Sequence, residues 1–255
     1  MQERPKTYNK QTGKSQIRKK NYSKKNNNQK TNNNIDTKVF ALGGLNEIGK
    51  NTYCFEHDNE IFIVDAGVKF AEEGLPGIDY VIPDYTYLKR NEKKIRGLLI
   101  THGHEDHIGG IPFLLQIVKI PFIYATPLAS AMIKRKLEER RLTNATKIIE
   151  IDDEYQIHSR YFNIGFFKTN HSIPESLGII INTPNGRIIE TGDFKFDLSP
   201  VGDPADYQKM SFLGETGVTL LMSDSTNAEV PTFSISEKIV ANSVQEEFRK
   251  TEGRL

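Results

Sequence analysis

The sequence predicts an α+β fold in which layers of β-sheet are covered by helices on the outside. Glu60–Asp65 and Arg96–Thr101 contain continuous apolar runs, which are typical of strands buried on both faces. Short strands come first along the chain and strands mixed with helices follow, which favours layered sheets. The 255 residues are enough for one large domain or two small ones.

Several segments have the composition of short strands and are separated by turns rich in Gly, Asn and Asp. These segments are Lys38–Leu42, Thr52–Glu56, Glu60–Asp65, Arg96–Thr101, Phe122–Ala125, Lys147–Ile151, Tyr161–Lys168, Leu177–Asn182, Arg187–Glu190 and Val218–Met222. The turn signal Pro184-Asn185-Gly186 predicts a hairpin between the strands on either side of it.

Three helices are predicted after these first strands. The first covers Ile108–Val118. The second begins with Thr126 as N-cap and Pro127 at the first position, and is expected to run to about Arg141. The stretch Ser234-Ile235-Ser236-Glu237 has the pattern of a capping box, which predicts a third helix that ends near Glu252.

Residues 1–37 form a basic segment, rich in Lys and Asn, that is predicted to be disordered. Residues 1–38 hold eleven Lys or Arg residues and two acidic ones, a net charge of +9, whereas the rest of the chain carries −8. A segment with so few large aliphatic residues buries too little apolar surface to offset its ordering entropy. Such a tail attracts polyanions such as RNA, although a solubilising extension has the same composition.

The single cysteine fits a protein of the reducing cytoplasm. Cys54 is the single cysteine, so no intrachain disulfide can form, which fits a reducing compartment. Because it lies in a predicted strand, we expect it to be a small buried hydrophobic residue rather than a nucleophile. The N-terminus lacks the apolar core of a secretory signal, and no stretch approaches the length of a membrane span.

The stretch Thr101–His107 carries the strongest chemical signal. It places three histidines and one aspartate directly after the apolar run Leu98–Ile100. The chain has six histidines and half of them lie here, a concentration that a solvated turn does not require. Imidazole and carboxylate groups are preferred ligands of zinc and similar ions, so we predict a metal site. His57 and His158 lie in polar stretches and are expected at the surface.

Other residues at the ends of predicted strands complete a two-metal site. The residues that follow strands are Asp65, His171, Asp193 and Asp224. The first ion would be held by His102, His104 and His171, and the second by Asp106 and His107. Asp193 is expected to bridge the two ions because a carboxylate has two oxygens to share. Asp65 is expected to orient a ligand imidazole by accepting its other N–H.

These motifs resemble a known family. The stretch His102-Gly103-His104-Glu105-Asp106-His107 is similar to the HxHxDH motif of the metallo-β-lactamase superfamily. The surrounding motifs look like those of ribonuclease J, and the resemblance covers about residues 38–255. The motifs are Ala41–Gly44 with Glu47–Asn51, Asp65–Gly67, Gly77–Asp79, His171–Ser176, Thr191–Asp197 and Ser223–Asn227.

The resemblance implies a bacterial cytoplasmic enzyme of RNA maturation and decay, including rRNA processing and mRNA decay. The family cuts RNA internally and also degrades it from a 5′-monophosphate end. It uses two metal ions, usually zinc, with manganese or magnesium also supporting activity. By position, His102, His104, His171 and Asp193 match the ligands of one ion. Asp106, His107 and the shared Asp193 match those of the other, and Asp106, His107 and Asp193 would be the catalytic residues.

Two further site predictions come from the same resemblance. Some members of the family hold a structural calcium near the loop that matches Pro76 and Ile78. Lys195 is a candidate phosphate contact, although a surface lysine at the end of a strand is the plainer interpretation. Members of the family form homodimers or homotetramers.

The implied fold is an αββα sandwich that carries an inserted β-CASP domain. On this basis residues 1–37 are a basic tail, residues 38–223 the metallo-β-lactamase domain, and residues 224–255 the start of the β-CASP insert. The sandwich is expected to be incomplete at its C-terminus. The later histidine ligand of the family and its pocket for the 5′-phosphate are not expected in this chain.

Three functional hypotheses follow. The first is a metal-dependent ribonuclease in which hydroxide at the metal pair attacks a phosphodiester of 5′-monophosphorylated single-stranded RNA. The second is another hydrolase of the same superfamily that acts on a thioester or a lactone, and it depends on the HxHxDH motif alone. The third is a non-catalytic fragment that binds RNA through its basic tail or assembles with a full-length partner.

Overall fold

The computed structural model of the protein describes residues 35–71 and 75–254. The predicted disorder of residues 1–34 lies outside these described residues. The strands of the described part are β1 (Lys38–Gly43), β2 (Thr52–His57), β3 (Glu60–Val64), β4 (Lys69–Phe70), β5 (Tyr80–Val81), β6 (Ile95–Leu99), β7 (Phe122–Ala125), β8 (Lys147–Glu150), β9 (Ile157–His158), β10 (Asn163–Lys168), β11 (Leu177–Thr183), β12 (Gly186–Glu190) and β13 (Leu220–Met222).

The strands form two large sheets and one small ribbon. The first sheet has the order β1-β2-β3-β6-β7-β8, with antiparallel pairs from β1 to β3 and parallel pairs from β3 to β8. The second has the order β13-β12-β11-β10-β9 and is antiparallel except for the pair of β12 with β13. Among the described residues, strands β4 and β5 pair with each other and with no further strand.

Six α-helices lie among the described residues. They are α1 (Thr86–Arg90), α2 (Glu105–Ile108), α3 (Ile111–Ile117), α4 (Pro127–Glu139), α5 (Tyr207–Thr216) and α6 (Glu237–Lys250). A short 3-10 helix, Glu92–Lys94, precedes β6. None of these helices has the length and apolar character that crossing a membrane requires.

The two large sheets pack face to face and helices cover their outer faces. Because side chains alternate along a strand, Ile63 of β3 joins the apolar cluster that includes residues of α1, α3 and α4, whereas its neighbour Phe62 joins the cluster between the sheets. A third cluster joins Ile180 and Ile189, on the outer face of the second sheet, to Leu213 of α5. This layering is the predicted αββα sandwich, which is confirmed.

The predicted helix Ile108–Val118 is wrong at its start. The structure has two helices here, because α2 ends at Ile108 and α3 begins at Ile111. The backbone N–H of Gly110 donates to the carbonyl of Ala66, which follows β3, at 2.8 Å. The chain therefore turns toward the first sheet between the two helices instead of continuing a single one.

The third predicted helix begins two residues later than its pattern suggested. Ser236 rather than Ser234 is the N-cap of α6, and its Oγ accepts a hydrogen bond from the N–H of Lys238. The Glu237 carboxylate binds Lys195 and the N–H of Val201 instead of closing a capping box. The pattern therefore located the helix correctly but assigned its cap to the wrong serine.

The predicted exposure of His57 and the predicted end of the basic tail at residue 37 need correction. His57 is buried at the end of β2, where its ring lies against Tyr161 and its Nδ1 is 3.0 Å from Thr37 Oγ1. Thr37 also donates from its backbone N–H and its hydroxyl to Asn185, so specific contacts begin before Lys38. Cys54, in contrast, is fully buried, as predicted.

Candidate metal centre

Four loops bring the predicted ligands to one edge of the sandwich. The stretch His102–His107 follows β6 of the first sheet, and Asp65 follows β3, which lies parallel beside β6. His171 follows β10 and Asp193 follows β12 of the second sheet. Since β10 and β12 both pair antiparallel with β11, they run in the same direction and their ends meet at the same edge.

The first ligand set consists of three imidazoles. His104 Nδ1 lies 3.1 Å from His102 Nε2 and 3.1 Å from His171 Nε2. His104 Nδ1 thus approaches two other ring nitrogens. A ring nitrogen carries at most one hydrogen, so hydrogen bonds alone do not explain why the three atoms lie together. Convergence of three nitrogen lone pairs on one point is the arrangement that a bound cation requires.

The second ligand set surrounds His107. Its Nε2 lies 3.3 Å from Asp193 Oδ1 and 3.5 Å from Asp106 Oδ2. The other oxygen of Asp193, Oδ2, lies 3.7 Å from His171 Nε2. Asp193 therefore faces both sets, one with each carboxylate oxygen, as a bridging ligand does.

The donor sets fit divalent ions. Tetrahedral coordination at about 2.0–2.1 Å places the ligand atoms roughly 3.3 Å apart, and the contacts above range from 3.1 to 3.7 Å. Two groups have all of their ligand atoms within 4.8 Å of one another. They are His102, His104 and His171, and His102, His107 and Asp193.

Asp65 fixes the ring of His107 from the side opposite the ligand nitrogen. Its Oδ2 lies 2.7 Å from His107 Nδ1, so Nε2 is left to face Asp106 and Asp193. Thr101 holds Asp65 in turn, through its backbone N–H at 2.9 Å and its hydroxyl at 2.8 Å. Asp65 has a positive φ of 59°, a strained conformation for a residue with a side chain, which this buried network maintains.

Burial and neighbouring charges set the protonation of the site. Burial, together with the other imidazoles, lowers the pKa of His102 to about 2, and burial also lowers the pKa of His171. Burial acts against a charge on His107 as well, but Asp65, Asp106 and Asp193 outweigh it and raise its pKa well above the usual value. The three carboxylates therefore favour the protonated form of His107.

Asn51 belongs to the site, although the sequence reasoning gave it no role. Its Nδ2 donates to the backbone carbonyl of Asp106 at 3.2 Å and lies 3.1 Å from His107 Nε2. Its backbone N–H also donates to Asp106, and the hydroxyl of Tyr53 approaches its Oδ1 at 3.2 Å. Its position in the sequence could have identified it. Asn51 directly precedes β2, and β2 lies beside β3, the strand that leads to Asp65.

Glu175 attaches the His171 loop to helix α4. Its carboxylate accepts the N–H of Leu128 at 2.8 Å, in the first turn of that helix. Thr126 occupies the N-cap position as predicted, but its side chain makes no capping hydrogen bond, so Glu175 satisfies this helix end instead. The loop that carries His171 is thereby fixed to the layer of helices.

Lys195 is held by carboxylates. Its Nζ lies 2.8 Å from Glu237 and 3.6 Å from Asp197, and its backbone N–H donates to Asn170, next to His171. It lines a cavity of about 920 Å³ that also borders His171. These ion pairs compete with the predicted phosphate contact.

The other predicted residues lie apart from the two ligand sets. Asp224 accepts hydrogen bonds from Thr226 in its own turn and acts on His171 only through its charge. Pro76 and Ile78 lie in an exposed turn before β5, in which the N–H of Ile78 donates to Leu75. The calcium site at this turn stays a prediction.

Comparisons with known proteins show the family to which the chain belongs. The model of the family "Metallo-beta-lactamase superfamily" matches residues 45–213. Ribonuclease J 1 of Streptococcus pyogenes is 58% identical over 217 residues, which cover 85% of this chain and 39% of that protein. Ribonuclease J of Mycoplasma pneumoniae is 44% identical over 219 residues, which cover 86% and 38%.

A solved structure supports the fold. The crystal structure of a protein of unknown function from Enterococcus faecalis V583 superimposes with a TM-score of 0.62 at 16% identity, over 84% of this chain and 57% of that chain. The chain spans about two fifths of the length of the curated relatives above. It belongs to the metallo-β-lactamase superfamily, and its resemblance to the N-terminal portion of ribonuclease J is confirmed.

Proposed function

We propose that this chain is the metal-binding part of a ribonuclease that hydrolyses RNA phosphodiester bonds with two divalent ions. One observation carries the proposal: histidines and aspartates from both sheets meet as two adjoining ligand sets, and Asp193 faces both. The names of the relatives support RNA as the substrate.

The proposed ligands are those predicted from the sequence. His102, His104, His171 and Asp193 would hold one ion, and Asp106, His107 and Asp193 the other. Their imidazole and carboxylate groups suit zinc, and the carboxylates also suit manganese or magnesium. Bound ions would lower the pKa of water and neutralise charge on the phosphodiester.

The remaining residues act on the ligands. Asp65 keeps Nε2 of His107 directed at the second set by holding Nδ1. Asn51 holds the Asp106–His107 turn through its backbone and its side chain. Asp106, His107 and Asp193 are the catalytic residues of this proposal.

The broader role is also a proposal. We expect endonuclease and 5′-to-3′ exonuclease activity in RNA maturation, rRNA processing and mRNA decay in the cytoplasm, within a homodimer or homotetramer. Residues 38–223 would form the metallo-β-lactamase domain and residues 224–255 the start of a β-CASP domain. A structural calcium would bind near Pro76 and Ile78.

The test is cleavage of a 5′-monophosphorylated RNA with added zinc or manganese. We expect cleavage by the wild type, and Asp106→Ala should reduce the rate more than about a hundredfold because the second ion loses a ligand. Asp36→Ala, which removes an exposed carboxylate far along the chain from the ligand loops, is the control and should cleave at the wild-type rate.

Two results would contradict the proposal. One is equal cleavage by the wild type and Asp106→Ala. The other is metal-dependent hydrolysis of a thioester or lactone without RNA cleavage, which would favour the second hydrolase hypothesis.

A further inference from the structure

We propose that a strip of aromatic and basic side chains beside the metal centre binds single-stranded RNA by stacking on its bases. The strip consists of Phe70, Tyr80, Phe113, Arg140 and Lys136. This inference deepens the proposed function, on which the identity of the ligand rests. It names the surface along which the strand would approach the metal ligands.

Three aromatic rings form a continuous series. The ring of Tyr80 lies 5.7 Å from that of Phe70 and 6.4 Å from that of Phe113, between ring centroids. Both distances are within the range of interacting aromatic pairs. The side chain of Phe70 is 59% exposed and that of Tyr80 is 42% exposed. Each residue belongs to a strand of two residues. Large rings are thus presented to solvent on the small β4–β5 ribbon.

Two cations continue the series. The guanidinium of Arg140 lies over the ring of Phe113, with Cζ 5.1 Å from the centroid, a distance typical of cation–π contacts. Arg140 is exposed, and no carboxylate of residues 35–71 or 75–254 pairs with it. Lys136 lies one turn earlier on α4, four residues away and therefore on the same face.

The strip begins at the metal centre. Lys136 Nζ lies 2.5 Å from the carboxylate of Glu105, which stands between the ligands His104 and Asp106. At the other side, the backbone N–H of Val68 donates to the carbonyl of Glu105, and β4 with Phe70 follows directly. Both ends of the series are therefore attached to the loop that carries the ligands.

The composition of the strip favours single-stranded RNA as its occupant. Aromatic rings offer every base a stacking surface, and the exposed Arg140 attracts the phosphate backbone. A double helix hides its bases within the stack, so it cannot use the rings in this way. Aromatic residues and arginine are also common in protein interfaces, so the experiment includes a measurement of association between copies.

The experiment measures RNA binding separately from cleavage. A fluorescent 15-nucleotide 2′-O-methyl RNA, single-stranded or paired with its complement, is titrated with the full chain in EDTA, and anisotropy is recorded. We expect Tyr80→Leu and Phe70→Leu each to weaken binding of the single strand about tenfold, since stacking on one ring contributes on that order. Arg140→Gln should act in the same direction on the single strand, and duplex binding should not change in Tyr80→Leu or Phe70→Leu.

Two variants serve as matched controls. Phe122→Leu removes a ring that is 36% exposed at the start of β7, the end of the first sheet opposite the ligand loops. Arg135→Gln removes an exposed cation from the same helix, one that pairs with Glu139. The titrations are repeated at high salt, which suppresses binding through the basic N-terminal segment. The difference in single-strand affinity between the wild type and the ring variants should remain, because stacking does not depend on charge.

The outcomes separate this inference from the proposed function. Equal binding by the wild type and the strip variants would overturn the inference even if the wild type cleaves RNA. An equal loss for single strand and duplex would also overturn it, since only stacking distinguishes the two. A changed sedimentation coefficient in Phe70→Leu with unchanged RNA binding would assign the strip to contacts between copies. Selective loss of single-strand binding supports it even if the wild type does not cleave.

Discussion

His107 is the residue on which the electrostatics of the site depend. It is buried among three carboxylates, which favour a positive charge on its ring. A bound ion would supply that charge instead and would take the Nε2 lone pair. Metal binding and protonation of His107 are therefore competing events at the same nitrogen.

We predict that binding of the second ion releases about one proton near neutral pH. The raised pKa keeps His107 protonated there, so the ion must displace the proton from Nε2. Metal affinity should therefore rise as the pH increases toward that pKa. His102 and His171 of the first set should release no proton, because their pKa values are lowered. Calorimetric titration in buffers with different ionisation enthalpies measures the number of protons.

The variant Asp65→Asn tests whether the released proton comes from His107. It removes the carboxylate that contributes most to raising the pKa of His107, so fewer protons should be released on binding. Proton release that is the same in both proteins would contradict this account of the site.

Residue chemistry explains which parts of the site were predictable. His102, His104, His107 and the aspartates could be inferred because few functions other than metal binding concentrate these ligand types at strand ends. The role of Asn51 could not, since an uncharged amide has many uses and its contact with Asp106 arises only from the pairing of β2 with β3. The ion pairs of Lys195 likewise depend on where α6 lies.

At the scale of elements, the loop after β3 and helix α2 meet through their backbones. Ala66 N–H donates to His107 and Val68 N–H to Glu105, while Gly67 lies between them. A Cβ atom on Gly67 would stand 1.5 Å from the carbonyl oxygen of Asp106. Glycine is required here by close approach, because the obstacle is backbone and cannot rotate away.

We predict that Gly67→Ala lowers the free energy of unfolding by more than about 2 kcal/mol and reduces zinc content. The added methyl group must push α2, with Asp106 and His107, away from β3. Gly165→Ala in β10 is the matched control, because its nearest contact would be an ordinary 3.9 Å from Ile180. That variant should be neutral or slightly stabilising. Urea unfolding with metal analysis tests both, and equal stability of the two would refute the steric argument.

The elements were predictable where the pattern was long and regular. Strands such as β3, β7 and β11 were located to within one residue at each end, because apolar runs between polar turns identify them. Helix α1 and strands β4, β5 and β9 were not predicted, since two to five residues are too few for a periodic signal. Helix α5 was also missed, and it buries only Leu213 against the second sheet.

At the scale of the whole molecule, the proposed metal pair joins the two sheets. His102, His104, Asp106 and His107 follow β6 of the first sheet, whereas His171 and Asp193 follow β10 and β12 of the second. The apolar cluster between the sheets holds them together elsewhere. An ion at either set would add a direct link at the edge where the loops emerge.

We therefore predict that metal ions stabilise the entire sandwich rather than one loop. An ion at a hundred times its dissociation constant should add about 2.7 kcal/mol, or a rise in Tm of roughly 5–10 °C for a domain of this size. Calorimetry with excess zinc and with EDTA measures the shift. Asp193→Asn should show a smaller shift because it weakens the ligand that faces both sets, and Asp36→Asn should match the wild type. An unchanged Tm would mean that the sheets hold together without help from the ions, and that the ligand loops respond to metal on their own.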